Sequence, residues 1–208
     1  SLRVLFQDWF NVTQDYRTPW KDEVGDPINP SEFPPGEMLV GHFATDEIPL
    51  AGRYPGLLDD PKWRALCFVR DPYELALSWY NFEKQERSLH DPDFSALPID
   101  EFFETYPGHY LTHLECDETN WKEAIERYWF IGTLERLEPC LDYLAEVLDK
   151  PRDQVVRHNQ TKEKAEPSPE SVRIFAERMA LEFEIYRYID ARLTARLSQP
   201  WTKDGAGG

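Results

Sequence analysis

A chain of 208 residues carrying twelve Phe, ten Tyr and seven Trp has the length and apolar content to bury a core of its own, which excludes a disordered acidic chain. A formal charge of −16, with no run of Lys or Arg, argues against nucleic acid as a partner and, through long-range repulsion, favours neutral over polyanionic partners. No stretch approaches the ~18 uninterrupted apolar residues of a membrane span, so none is expected in this chain.

Leu2, Leu5, Phe6 and Trp9 fall at helical spacing, and residues 1–10 are expected to form a helix already under way at Ser1. Pro19, Pro27, Pro30, Pro34 and Pro35 make residues 18–36 a surface loop. Met38-Leu39-Val40, within residues 37–43, is short enough for a buried strand. Residues 49–62, again rich in Pro, Gly and Asp, lead into Ala65-Leu66-Cys67-Phe68-Val69, the strongest strand signal in the chain. Asp71-Pro72-Tyr73-Glu74 then reads as a helix start, with Asp71 as cap, Pro72 at the first helical position and Glu74 three residues after the cap. The strand therefore turns sharply into a helix at Arg70.

Residues 87–98 are expected to be loop, and 99–106 a short helix with Phe102 and Phe103 facing inward; 107–120 show no clear period. Tyr128-Trp129-Phe130-Ile131-Gly132 is a third buried strand, and Leu134, Leu137, Leu141, Leu144 and Leu148 mark an amphipathic helix behind it. After a polar loop at 150–169, Val172, Phe175, Met179, Phe183, Tyr186, Ile189 and Leu193 trace one face of a long last helix. Strand and helix alternate, which predicts an α/β domain with a parallel sheet over residues 1–200 and a flexible tail at 201–208.

In such a sheet, ligands collect where strands end and helix N-termini begin. Gly41-His42 ends one expected strand and Arg70-Asp71-Pro72 another. Arg70 can grip a phosphate in a forked geometry, and Ser78, two turns into the helix, can add a hydroxyl donor; equally, Arg70 can pair with Asp71 or Glu74. His42 titrates near neutrality and can serve as a general base or satisfy a strand-end hydrogen bond. Thr161 and Lys162, with Lys164, read as an anion lid or as a solvated loop. Glu135 and Arg136 can form a structural ion pair. His109, His113, Glu115 and Cys116 have a zinc-like spacing only on a helix, and Pro107-Gly108 argues against one, so no metal is expected. Cys67, Cys116 and Cys140 include no CxxC pair and are odd in number, which points to a reducing, cytoplasmic compartment.

The segment Phe68-Val69-Arg70-Asp71-Pro72-Tyr73-Glu74-Leu75-Ala76-Leu77-Ser78-Trp79-Tyr80 resembles the 3′-phosphate motif of sulfotransferases, a strand ending in Arg-Asp-Pro with Ser eight residues after the Arg. That resemblance implies that Arg70 and Ser78 hold the 3′-phosphate of PAPS (3′-phosphoadenylyl sulfate). A basic residue commonly stands in the family where this chain has Leu75. Gly41-His42 resembles the Gly-His of the heparan sulfate 2-O-sulfotransferase branch, which implies His42 as the base. Phe130-Ile131-Gly132-Thr133-Leu134-Glu135-Arg136-Leu137 resembles a strand and turn written Gly-x-x-Glu-Arg-Leu, and Arg157-His158-Asn159-Gln160-Thr161-Lys162-Glu163-Lys164 is similar to the loop that closes over the nucleotide.

The four segments stand in the family's order and span nearly the whole chain. The family resemblance implies a three-layer parallel sheet flanked by helices, of P-loop-NTPase-like sulfotransferase fold. It further implies sulfuryl transfer from PAPS to a hydroxyl of a carbohydrate or other small acceptor, without a metal. The family's first strand and its Pro-Lys-x-Gly/Ala-x-Ser/Thr-Ser/Thr phosphosulfate loop have no counterpart here, and Ser1-Leu2-Arg3 is expected to continue from that loop. The aromatic and acidic loops at 18–36 and 81–98 are candidates for shaping the acceptor cleft. Two other readings stand beside this one: a non-catalytic module of the same fold that binds a nucleotide or protein, and a P-loop kinase, against which the Arg-Asp-Pro segment with Ser78 speaks.

Overall fold

A computed structural model describes residues 2–15, 26–41, 43, 48–90, 96–152 and 166–199. His42, Thr161, Lys162 and the 201–208 tail lie outside the described residues. The fold is mixed α/β. Strands β1 (Asn11–Gln14) and β2 (Glu37–Val40) pair in parallel, with Val12 opposite Met38. Strands β3 (Leu66–Val69) and β4 (Phe130–Thr133) form a second parallel pair, with Leu66 opposite Phe130 and Val69 opposite Thr133.

The three apolar runs thus form β2, β3 and β4, but the expected continuous three-layer sheet is not what the described residues form. They make two two-stranded sheets with no ladder between them. The pairs instead meet through side chains. Val12, Met38, Leu66, Phe68 and Phe130 pack into one cluster with Phe6 and Trp9 of α1 (Leu2–Trp9) and with Leu141 and Leu144 of α7 (Leu137–Leu148). Strand β1 was not expected. Its sequence, Asn-Val-Thr-Gln, has one apolar residue, and its place is set by pairing with β2 and by the Val12 contact with this core.

Helix α2 (Leu50–Arg53) precedes β3, and α3 (Pro72–His90) follows it. Asp71 caps α3 as its position predicts, its Oδ1 accepting from the Tyr73 and Glu74 amides at 3.0 and 3.2 Å. The helix runs to His90, past the start of the expected loop at 87. Three short helices follow: α4 (Ile99–Thr105), α5 (Tyr110–His113) and α6 (Trp121–Glu126). Phe103 of α4 is fully buried, and with Ala76, Leu77, Tyr106, Phe175 and Met179 it builds a second cluster. Leu134, expected on the apolar face behind β4, is exposed, because a single 3-10 turn precedes α7 and rotates it outward.

The expected last helix is two. Helix α8 (Pro169–Arg178) starts at Ser168, whose Oγ accepts from the Ser171 amide, and α9 (Ala180–Leu197) begins after a break at Met179. Helix α9 carries the buried residues Glu182, Ile185, Ile189 and Leu193 along one stripe. Ile185 and Ile189 pack against Val69, Tyr110 and Trp121, and Leu193 against the first cluster, so α9 spans both cores behind β3 and β4. Among the described residues no helix is long and apolar enough to cross a membrane.

Candidate functional site

Arg70 is the first residue after β3, and the strand's parallel partner β4 ends beside it, so the Arg70–Asp71 junction and Glu135 face each other across the ends of the two strands. The Arg70 side chain is 30% exposed, and its Nη2 donates to Glu74 Oε2 at 3.2 Å. A half-exposed pair held by one long bond contributes only about 0–1 kcal/mol, so an anion can compete for this guanidinium at small cost. Glu74 and Ser78, four apart on α3, share a face, and Ser78 is exposed on it. Arg70 reaches this face through its bond to Glu74.

The helix N-terminus behaves differently from the sequence expectation. Two first-turn amides, those of Tyr73 and Glu74, are consumed by Asp71, and the Leu75 amide bonds to the Asp71 carbonyl. The junction thus offers an anion side-chain donors rather than a cradle of amides. Asp71, Glu74 and Glu135 bring three carboxylates to this corner, and Leu75 adds no charge. The cation at this corner is Arg70.

The Arg70–Asp71 peptide unit is gripped from both sides. The Tyr110 hydroxyl, buried at the base of α5, donates to the Arg70 carbonyl. On the solvent side Glu135 Oε1 accepts from the Asp71 amide at 3.1 Å, and its Oε2 accepts from the Tyr186 hydroxyl of α9 at 3.0 Å. Burial foremost pushes the Tyr110 and Tyr186 phenols up, which keeps both protonated as donors at neutral pH. Arg136, adjacent to Glu135 in sequence, does not pair with it: its guanidinium meets Asp190 at 3.0 Å and Thr194 at 2.7 Å.

Tyr110 is in turn placed by a buried carboxylate. Glu182 of α9, 5% exposed, accepts from the His109 amide and from the Tyr110 amide at 2.8 Å through Oε1. Its Oε2 is buried without a hydrogen-bond partner, as is the Tyr106 hydroxyl. Burial raises the Glu182 carboxyl, against the two amide bonds that lower it. The turn that brings those amides to Glu182 depends on Gly108, at φ +88, where a Cβ would lie 2.7 Å from Glu182 Oε1. His109 stacks on His113 with ring centroids 3.5 Å apart and lies 5.9 Å from the exposed Trp79 ring. Burial, then the neighbouring His113, pulls His109 down to about 3, so its ring is neutral.

At the other parallel pair, Gly41 follows β2 and packs tightly against the end of β1. A Cβ there would lie 2.5 Å from the Phe43 ring and 2.7 Å from the Asp15 carbonyl. Asp15 and Arg53 form a buried ion pair with bonds of 2.5 and 2.7 Å, and the Tyr54 hydroxyl also donates to Asp15. This triad anchors α2 to the end of β1, where the Asp15 amide donates to the Val40 carbonyl of β2.

Of the five expected site residues, Arg70 and Ser78 are brought to one face, while His42, Thr161 and Lys162 lie outside the described residues. Sequence reasoning missed Tyr110, Glu182 and the Asp15–Arg53 pair. Gly108 was the available signal: a glycine following proline marks a turn, and here the turn presents its amides to α9. Comparison with family models, with characterised proteins and with solved structures finds no match.

Proposed function

We propose that this chain is a sulfotransferase domain that transfers a sulfuryl group from PAPS to a hydroxyl of a carbohydrate or other small acceptor. The reading takes its fold as a variant of the three-layer, P-loop-NTPase-like sulfotransferase architecture. The observation that carries it is the junction after β3: an accessible arginine at the end of a parallel strand, with Ser78 on the same face of the helix that follows. A guanidinium in that position suits a terminal phosphate dianion, which it can bind through two parallel bonds after displacing the weakly held Glu74.

In this reading Arg70 and Ser78 bind the 3′-phosphate, Thr161 and Lys162 close over the nucleotide, and His42 takes the proton of the acceptor hydroxyl as the sulfuryl group moves. Sulfuryl transfer by in-line displacement depends chiefly on positioning and on neutralising charge, so no metal is required of the protein. The acidity of the surroundings favours an uncharged acceptor. PAP, the desulfated product, provides the test. Calorimetric titration is expected to show binding that weakens about tenfold to a hundredfold in Arg70→Ala, the loss of one charge-assisted contact, and less in Ser78→Ala. Equal affinity in parent and Arg70→Ala contradicts the assignment.

A further inference from the structure

We propose that Tyr110 and Glu135, anchored on α9 by Glu182 and Tyr186, are positioning residues that set the orientation of the Arg70–Asp71 peptide unit and, through it, the direction of the Arg70 side chain. The inference rests on the reading of Arg70 as a phosphate ligand; it adds to that site Tyr110 and Glu182, which no sequence motif supplies, and gives Glu135 of the Gly-x-x-Glu-Arg-Leu segment a role in it.

The geometry is specific. A peptide unit between a strand and a helix belongs to neither ladder, and its N–H and C=O must find partners elsewhere. Here the carbonyl of that unit takes the Tyr110 hydroxyl and the N–H of the same unit gives to Glu135. Rotation of the unit about its flanking bonds would break both contacts at once, so the pair fixes the backbone angles on either side of it and thereby the direction in which the Arg70 side chain stands relative to α3.

Both clamps lead to α9. Glu182 holds the His109 and Tyr110 amides, which fixes the turn from which Tyr110 reaches inward, and Tyr186, one turn further along, holds Glu135. Glu182 and Tyr186 are four apart and so lie on one face of α9. A single helix face thereby braces the junction from its buried and its exposed side. Neither Tyr110 nor Glu135 is required to touch the nucleotide; they act through the backbone of Arg70.

The test combines a backbone readout with a ligand readout on the whole chain. Glu135→Ala removes the acceptor of the Asp71 N–H, whereas Glu135→Gln can still offer an oxygen to that N–H and an N–H to the Tyr186 oxygen. Tyr110→Phe removes the donor to Arg70. Tyr188→Phe, whose hydroxyl donates to Glu126 at 3.1 Å elsewhere on α9, is the control. Hydrogen exchange of the Asp71 amide, followed by NMR, is expected to speed up about tenfold in Glu135→Ala and to return close to the parent rate in Glu135→Gln.

PAP affinity is expected to fall about tenfold in Tyr110→Phe and Glu135→Ala and to stay within about threefold in Glu135→Gln and Tyr188→Phe. If the parent binds no PAP, the phosphate-ligand reading fails, and the exchange rates alone decide the brace: loss with rescue supports it, and unchanged exchange in Glu135→Ala overturns it. If the parent binds PAP, undiminished affinity in both Tyr110→Phe and Glu135→Ala overturns it.

Discussion

Replacing Gly108 by alanine tests how much of the junction depends on the turn before α5. Gly108 sits at φ +88 and Gly56 at φ +80, so alanine is strained at both, by about 1–2 kcal/mol. Their surroundings differ. Nothing lies within 4 Å of a Cβ at Gly56, but at Gly108 the new methyl would meet Glu182 Oε1 at 2.7 Å. A carboxylate end can swing away cheaply on a surface; this one is 5% exposed and holds the His109 and Tyr110 amides. Displacing it weakens two charge-assisted bonds at about 1.5 kcal/mol each, which brings Gly108→Ala to about 4–5 kcal/mol.

At ~2–4 °C per kcal/mol for a domain of this size, thermal unfolding followed by circular dichroism should fall about 8–20 °C in Gly108→Ala and about 2–8 °C in Gly56→Ala. Equal losses in the two variants would refute the claim that the Glu182 contact, rather than backbone strain, makes Gly108 necessary.

His109, held near 3 by burial and by His113, takes up no proton in the folded chain across pH 5–8, so its ring signals in NMR should not titrate there. Because its unfolded value is about 6.5, stability is expected to fall as pH drops from 6.5 towards 3, and His109→Gln should flatten that dependence in denaturant melts. Asp15→Ala strips a buried carboxylate from Arg53, whose side chain is 4% exposed, and should cost about 3–5 kcal/mol in urea unfolding; Asp15→Leu with Arg53→Met should recover most of it. Burial pushes the Cys67 thiol up to about 12 and the Cys116 thiol up to about 11, so at pH 8 a disulfide reagent should label both far more slowly in the folded chain than in denaturant.

What the sequence makes legible here is local. The runs Met38-Leu39-Val40, Leu66-Cys67-Phe68-Val69 and Phe130-Ile131 become strands as short apolar stretches bounded by turn residues suggest, although β2 is half-buried throughout and only β4 is largely buried. Asp71 caps α3 because cap and amides lie within three residues. Arg70 and Ser78 share a face because both belong to one strand-to-helix segment. Strand β1 is invisible beforehand, since its place comes from a partner 26 residues away and not from its own polar composition. The α8–α9 break is hidden because the apolar stripe from Phe175 through Phe183 continues across Met179.

The brace on the junction is illegible for the same reason in stronger form. Glu182 and Tyr110 are 72 residues apart, and a glutamate in a helix reads as surface until the fold buries it. Asp71, the residue that marks the start of α3 in the sequence, also occupies the Tyr73 and Glu74 amides, and the sequence pattern does not separate these two roles.

The most direct measurement is the difference in affinity between PAP and adenosine 5′-phosphate, which lacks the 3′-phosphate, in the parent chain and in Arg70→Ala. The account predicts that the parent prefers PAP by about tenfold or more and that Arg70→Ala erases most of that preference while leaving adenosine 5′-phosphate binding unchanged. A parent chain that binds the two nucleotides equally, or a preference that survives in Arg70→Ala, would contradict the central claim that this junction is a 3′-phosphate site.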